Sequence, residues 1–162
     1  MVELGSDPVG VRGPGSIGGR IDVRVIMMIK GDREPGHLPS EELLAQMGKY
    51  NEELSKAGVL LDLGALRWSA EGVRVKYSSG KRTVAHGPFG DPKEIVAGYW
   101  ILQVKSMDEA IEWAKRLPFE AGGEPEAEGE IEIRQLFELD EFGESPAIEQ
   151  ARELEDELRK ET

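Results

Sequence analysis

The sequence predicts an α+β fold of ferredoxin-like type: an antiparallel sheet with helices on one face, followed by an extra C-terminal helix. Three observations predict it. Segments 40–57 and 106–117 repeat apolar residues at the three- and four-residue steps of a helix. Shorter runs rich in β-branched residues flank each of them. The resulting order is strand, helix, strand, hairpin, strand, helix, strand, and 162 residues suit one core plus tails.

Residues 1–20 hold Gly5, Gly10, Gly13, Gly15, Gly18 and Gly19 with Pro8 and Pro14. Such a segment buries too little to offset its ordering entropy, so it reads as a flexible leader. Gly13 to Gly19 resembles a phosphate loop only superficially, because no strand precedes it and no Lys-Ser/Thr follows. Val23 to Ile29 reads as a buried first strand, and Lys30 to Pro39 as a polar loop. Ser40 is the expected cap of a helix carrying Leu43, Leu44, Met47, Tyr50, Leu54 and Ala57 inward, with Gly58 ending it. Val59 to Trp68 is the second strand, with Gly64 a bulge or a point of close approach.

Val73, Val75 and Tyr77 alternate with Arg74 and Lys76, Ser78-Ser79-Gly80 turns, and Arg82 to Ala85 returns, which is a hairpin. The stretch from Lys81 to Val104 organises the rest: a strand end, a Gly/Pro-rich loop bearing His86, and an aromatic-headed strand from Tyr99. Asp91 to Glu94 is placed to start a short helical turn, with Pro92 at its first position. Ser106 and Glu109 form a capping box for the second helix, whose expected stripe is Ala110, Ile111, Ala114 and Leu117, stopped by Pro118. Glu120 to Gly129 is an acidic loop, and Glu130 to Leu139 a half-exposed last strand. Pro146 to Glu161 forms a further helix with a narrow stripe of Ile148, Ala151, Leu154, Glu155 and Leu158. Alone it is marginal, so it docks on its own domain or a second subunit, or else frays. The domains expected are thus a leader over 1–20, an α+β domain over 21–143 and an acidic helical extension over 144–162.

Charge is uneven. The net charge is −12, yet residues 1–119 hold 16 acids and 16 bases, while 120–162 hold 16 acids and 4 bases. No basic stripe of the kind nucleic acid requires is present, and an acidic tail repels phosphate further. No uncharged apolar run reaches membrane-spanning length. The chain has no cysteine, which removes disulfides, thiolate metal sites and cysteine nucleophiles. A cytoplasmic protein that meets neither membrane nor nucleic acid is the expectation.

Two histidines far apart give no metal-ligand spacing, and no dinucleotide fingerprint sits between a strand and a helix. The remaining candidate is the His86 loop. His86 reads either as a general acid or base at a pocket mouth or as an ordinary turn residue. Glu94 or Lys93 is its electrostatic partner, or the two form a surface ion pair of little consequence. Tyr99 and Trp100 point to opposite faces of their strand, so one belongs to the core or an interface and the other to a pocket wall. Arg82 holds an anionic ligand or is simply solvated. His37 reads as a loop residue.

The segment from Pro39 to Leu61 resembles the first helix and second strand of YCII-related proteins, whose bacterial subgroup is named for an Asp-Gly-Pro-Phe motif. His86-Gly87-Pro88-Phe89, Lys93-Glu94, Gly98-Tyr99-Trp100, Ala110 to Lys115 and Glu130 to Arg134 follow the same pattern in order. The likeness covers about Val23 to Gly143. It implies a dimeric α+β barrel, in which two ferredoxin-like sheets meet face to face as a homodimer. Two helices covering one sheet face leave the other for that contact. About activity the resemblance implies less. Most members are uncharacterised, and a relative outside the subgroup is a dehydrochlorinase with a His and an Asp as its dyad, for which no numbered equivalents stand out here. This chain also departs from the motif, since His86 stands where the subgroup has Asp. A catalytic carboxylate replaced by His still leaves a proton carrier of different charge, whereas a turn-forming Asp replaced by His leaves a weaker turn.

The function expected is therefore cofactor-free acid/base chemistry, lyase- or isomerase-like, on a small molecule. His86 and Glu94 would carry it, with Arg82, Lys93, Tyr99 and Trp100 around the ligand. The alternative is a non-catalytic dimeric module for ligand binding or protein interaction, with a regulatory role.

Overall fold

A computed structural model of the chain describes residues 22–119 and 128–162. The expected leader and most of the acidic loop after Phe119 lie outside the described residues. The first strand, β1 (Val23–Lys30), pairs antiparallel with β5 (Val96–Val104) on one side and β6 (Glu130–Gln135) on the other. The second strand, β2 (Leu60–Ala65), joins the free side of β5, giving the four-stranded order β2-β5-β1-β6. With the hairpin set aside, this is the ferredoxin-like arrangement, and the fold is α+β.

β1 is buried on one face only. Val25 and Met27 are wholly buried, whereas Ile26 and Met28 face the other way and stand outside the core cluster. The apolar run of Val25 to Ile29 thus conceals an alternation: both faces are apolar, and the described chain covers one of them.

Helices α1 (Glu41–Lys56) and α2 (Met107–Lys115) cover the Val25 face. Ser40 Oγ accepts from the Leu43 amide at 3.2 Å to start α1, and Gly58 takes a positive φ of 73° after its end. Leu43, Met47, Tyr50 and Leu54 turn inward, but Leu44 is 56% exposed and Ala57 is exposed too. Leu44 follows Leu43 and so lies about 100° further round the helix, beyond the sheet's reach. Ser106 caps α2 through the Glu109 amide, yet the Glu109 carboxylate accepts from Lys105 N rather than Ser106 N. Ala110, Ala114 and Leu117 enter the core as expected; Ile111 does not, and Met107 and Trp113 take its place.

An aromatic cluster fastens the two helices to the sheet. Tyr50 meets Trp100 edge-on at 6.0 Å and Trp113 at 6.5 Å. The Tyr50 hydroxyl donates to the Trp113 carbonyl at 2.8 Å, and Trp100 Nε1 donates to Asn51 Oδ1 at 2.8 Å. Burial pushes the Tyr50 pKa up to about 12.

β3 (Val73–Ser78) and β4 (Lys81–His86) form a separate two-stranded hairpin. Ser79 and Gly80 at its tip have φ of 49° and 74°, the two left-handed residues of a type I′ turn. β4 runs one residue further at each end than the sequence suggests, so His86 closes the ladder opposite Val73 instead of lying beyond it, and β3 reaches one residue further toward the turn, to Ser78. β5 also starts earlier than expected, at Val96, while β2 stops at Ala65 and β6 at Gln135.

After β6, a 3-10 turn spans Leu139–Phe142, and Arg24 clasps Glu138 through Nε at 2.9 Å and a terminal nitrogen at 3.1 Å. The last helix, α3 (Pro146–Lys160), starts on a Ser145 cap and is tied to that turn by an Arg152–Asp140 ion pair. Ile148, Ala151 and Glu155 are half-buried as expected, but Leu154 and Leu158 are 57% and 59% exposed. Among the described residues no helix is long and apolar enough to cross a membrane.

Candidate functional site

The His86 loop is built on a latch that begins at the end of β1. Gly31 N donates to Ile95 O at 2.7 Å, which brings Asp32 beside the 3-10 turn Ser69–Glu71. Asp32 accepts from the Ser69 hydroxyl, from Ser69 N at 3.0 Å and from Arg33 N at 3.1 Å. These donors, the Ser69 hydroxyl foremost, hold its carboxyl below the usual aspartate range. Ser69 itself is 6% exposed, and its Oγ accepts from Phe89 N at 3.4 Å. Asp32 therefore accepts hydrogen bonds through both carboxylate oxygens and serves as an anchor.

The loop then seats on this turn at close quarters. Gly87 N donates to Gly72 O at 2.9 Å, and a Cβ on Gly87 would lie 1.7 Å from Ser69 O. Only glycine fits there. The Gly87–Pro88 bond is cis, and the Arg74 guanidinium stacks 4.1 Å from the Phe89 ring centre. The Gly-Pro-Phe portion of the loop is thus explained by packing. His86, one residue earlier, is exposed.

The six residues singled out by sequence do not gather into one cluster in this chain. His86 and Arg82 lie on the same face of the hairpin, Arg82 nearer the tip and 5.4 Å from the Tyr77 ring centre. Arg82 also borders an open recess around the turn, lined by Tyr77 to Lys81. Lys93 and Glu94 are exposed on the 3-10 turn Pro92–Glu94, capped by the Asp91 side chain at 2.9 Å from Lys93 N. Among the described residues no hydrogen bond or ion pair joins either of them to His86. Trp100 is 7% exposed in the helix-side core, and Tyr99 lies on the opposite sheet face.

That opposite face is the more organised surface. Its register sets two rows across the four strands: Gly64, Tyr99, Met28 and Glu132 in one, Asp62, Ile101, Ile26 and Arg134 in the next. The centre is apolar and the margins are charged. The Tyr99 ring lies over Gly64, whose missing side chain makes the space: a Cβ there would meet Tyr99 Cε1 at 2.8 Å. Gly64 is accordingly the close-approach point, while the bulge of β2 falls between Leu60 and Asp62. Tyr99 Oη donates to Asp62 Oδ2 at 3.4 Å, and Lys30 approaches Glu132 at 3.8 Å. Sequence reasoning passed over Asp32, Ser69 and Asp62. Asp32 and Ser69 meet across 37 residues, and no local pattern announces such a pair.

Among the described residues no group of three or more His, Asp or Glu side chains gathers to hold a metal ion. The comparisons with known proteins agree with the architecture. The chain is 27% identical over 96 residues to an uncharacterised protein of Rhizobium meliloti (strain 1021), covering 59% of this chain and 74% of that one. Residues 25–140, from the middle of β1 to the turn after β6, match the YCII-related domain family. Both sheet faces, the His86 loop and its Asp32 latch fall inside that span, and the protein belongs to the YCII-related family.

Proposed function

We propose that this YCII-related protein acts as a homodimer enclosing a small-molecule site over the open sheet face, and that its chemistry there is cofactor-free proton transfer. Its Gly87-Pro88-Phe89 sequence supports placing it beside the subgroup named for the Asp-Gly-Pro-Phe motif, with His86 where that subgroup has Asp. One observation carries the proposal: the face left bare by α1 and α2 has an apolar centre of Ile26, Met28, Tyr99 and Ile101 between charged margins. Such a floor suits a small apolar or aromatic substrate, oriented by a few polar groups. Tyr99, hydrogen-bonded to Asp62, presents a hydroxyl to that substrate. His86 accepts a proton from carbon and returns it elsewhere in an isomerase, or the electron pair left behind expels a leaving group in a lyase. Glu94 and Lys93 set the charge around the ring.

The test uses methionine-methyl NMR with a library of small aromatic and carbonyl acids. A genuine ligand shifts the Met28 methyl and leaves Met107, on the helix side, in place. His86→Ala should then bind that ligand and lose its turnover. Ligands that shift only Met107, or turnover retained in His86→Ala, would sink the proposal.

A non-catalytic interaction module is the second reading. It draws support from the exposure of His86, Arg82, Lys93 and Glu94 and from the bare leucines of α3.

A further inference from the structure

The hairpin β3–β4 leaves apolar surface unused. Val73, Val75, Tyr77 and Val84 are 55%, 48%, 73% and 58% exposed. The register puts Val75 opposite Val84 and Tyr77 opposite Arg82, so these side chains form one continuous face. A two-stranded hairpin with both edges open is marginal by itself and invites a partner. Its strands pair with each other alone and make no comparable contact with another element among the described residues.

Its charge narrows the choice of partner. From Gly72 to Gly90 the chain has Arg74, Lys76, Lys81 and Arg82 and not one acid, in a protein of net charge −12, and Arg82 is the base that stands on the apolar face. The matching surface is on α3. Leu154, Glu157, Leu158 and Glu161 follow one another at three- and four-residue steps, an apolar pair edged by carboxylates on one side of the helix end. Both leucines are bare, and two bases of α3 are already engaged within the chain, Arg152 by Asp140 and Arg159 by Glu155. Apolar area and charge complement each other on the two surfaces, and complementary charge selects the partner and fixes its register.

We infer that the hairpin of one protomer docks on α3 of a second copy, Val75 and Val84 against Leu154 and Leu158, with Arg82 toward Glu157 and Glu161. A two-fold axis makes the contact reciprocal. The inference rests on the homodimeric reading above only in needing a second copy; it names a different surface from the sheet face.

The chain has no cysteine, which allows a direct test. Full-length Val75→Cys is mixed with Leu154→Cys, and Tyr77→Cys with Leu158→Cys, under mild oxidation. A dimer-sized band from either mixture, absent from each variant alone, is the expected result. A band from a hairpin variant alone makes the occupant another hairpin. A disulfide closed within a single chain carrying both substitutions makes it the chain's own α3. Either outcome, or no band from either mixture, overturns the inference. Sedimentation supplies the second readout. Arg82→Glu should weaken self-association about tenfold, and mixing it with Glu157→Lys should restore much of the loss. A chain that sediments as a monomer ends both readings. A dimer that withstands Arg82→Glu and gives no mixed band ends only this one.

Discussion

Gly87 shows how a single position without a side chain decides the shape of a loop. Its α-carbon passes so near the Ser69 carbonyl that a methyl group would sit 1.7 Å from the oxygen, and backbone cannot swing aside as a side chain can. Gly87→Ala should therefore cost about 2–3 kcal/mol, measured by urea denaturation, and should shift the Ser69 and Phe89 amides in NMR. An unchanged midpoint would mean that the loop does not seat on the turn. The Gly-Pro-Phe sequence was legible as a turn because glycine and proline carry their backbone preference with them. Its anchor was not, since Asp32 lies on the other side of α1 and β2 and reads as one polar loop residue among several.

At the scale of the element, Tyr50 joins α1 to α2 by its ring and by its hydroxyl. Its hydroxyl reaches the Trp113 carbonyl, near the end of α2. Desolvation raises its pKa to about 12, so the folded state holds this proton more tightly than the unfolded chain does. The associated stability is full below the ordinary tyrosine pKa of about 10 and is lost as pH rises through about 12. Tyr50→Phe should be less stable than the parent by about 1 kcal/mol at pH 7, and the gap should narrow above pH 10 as the parent weakens. Denaturation curves at the two pH values check this; a gap that widens in alkali would contradict it. The first two helices were readable from their caps, Ser40 and Ser106, because capping is local, whereas α3 was read from its apolar stripe alone. Leu44 and Ile111 were misassigned to buried stripes because periodicity gives a helix its apolar side without giving the width its neighbour can cover.

For the whole molecule, the decisive feature is a sheet with two apolar faces and one layer of helices among the described residues. Ile26 lies in the middle of the uncovered face, between Ile101 and Arg134. If that face meets a second copy, Ile26→Asp buries a charge in the contact, and the dimer should weaken by at least about a hundredfold. Sedimentation velocity reads the change, while circular dichroism should show the fold intact. A dimer indifferent to Ile26→Asp would move the interface elsewhere. The fold class was legible because the order of elements leaves few topologies open. The site was less so. Alternation placed Tyr99 and Trp100 on opposite faces, but which face the helices take depends on packing across the whole chain.

The three tryptophans turn this architecture into its own optical instrument. Trp100 is buried and Trp113 half-buried beside Tyr50, while Trp68 stands at the latch, its Nε1 3.4 Å from the His37 carbonyl. Emission from the first two reports the seam between helices and sheet. A chain reduced to Trp68 glows from the base of the hairpin alone, so movement of the His86 loop can be followed by colour and quenching with no dye attached.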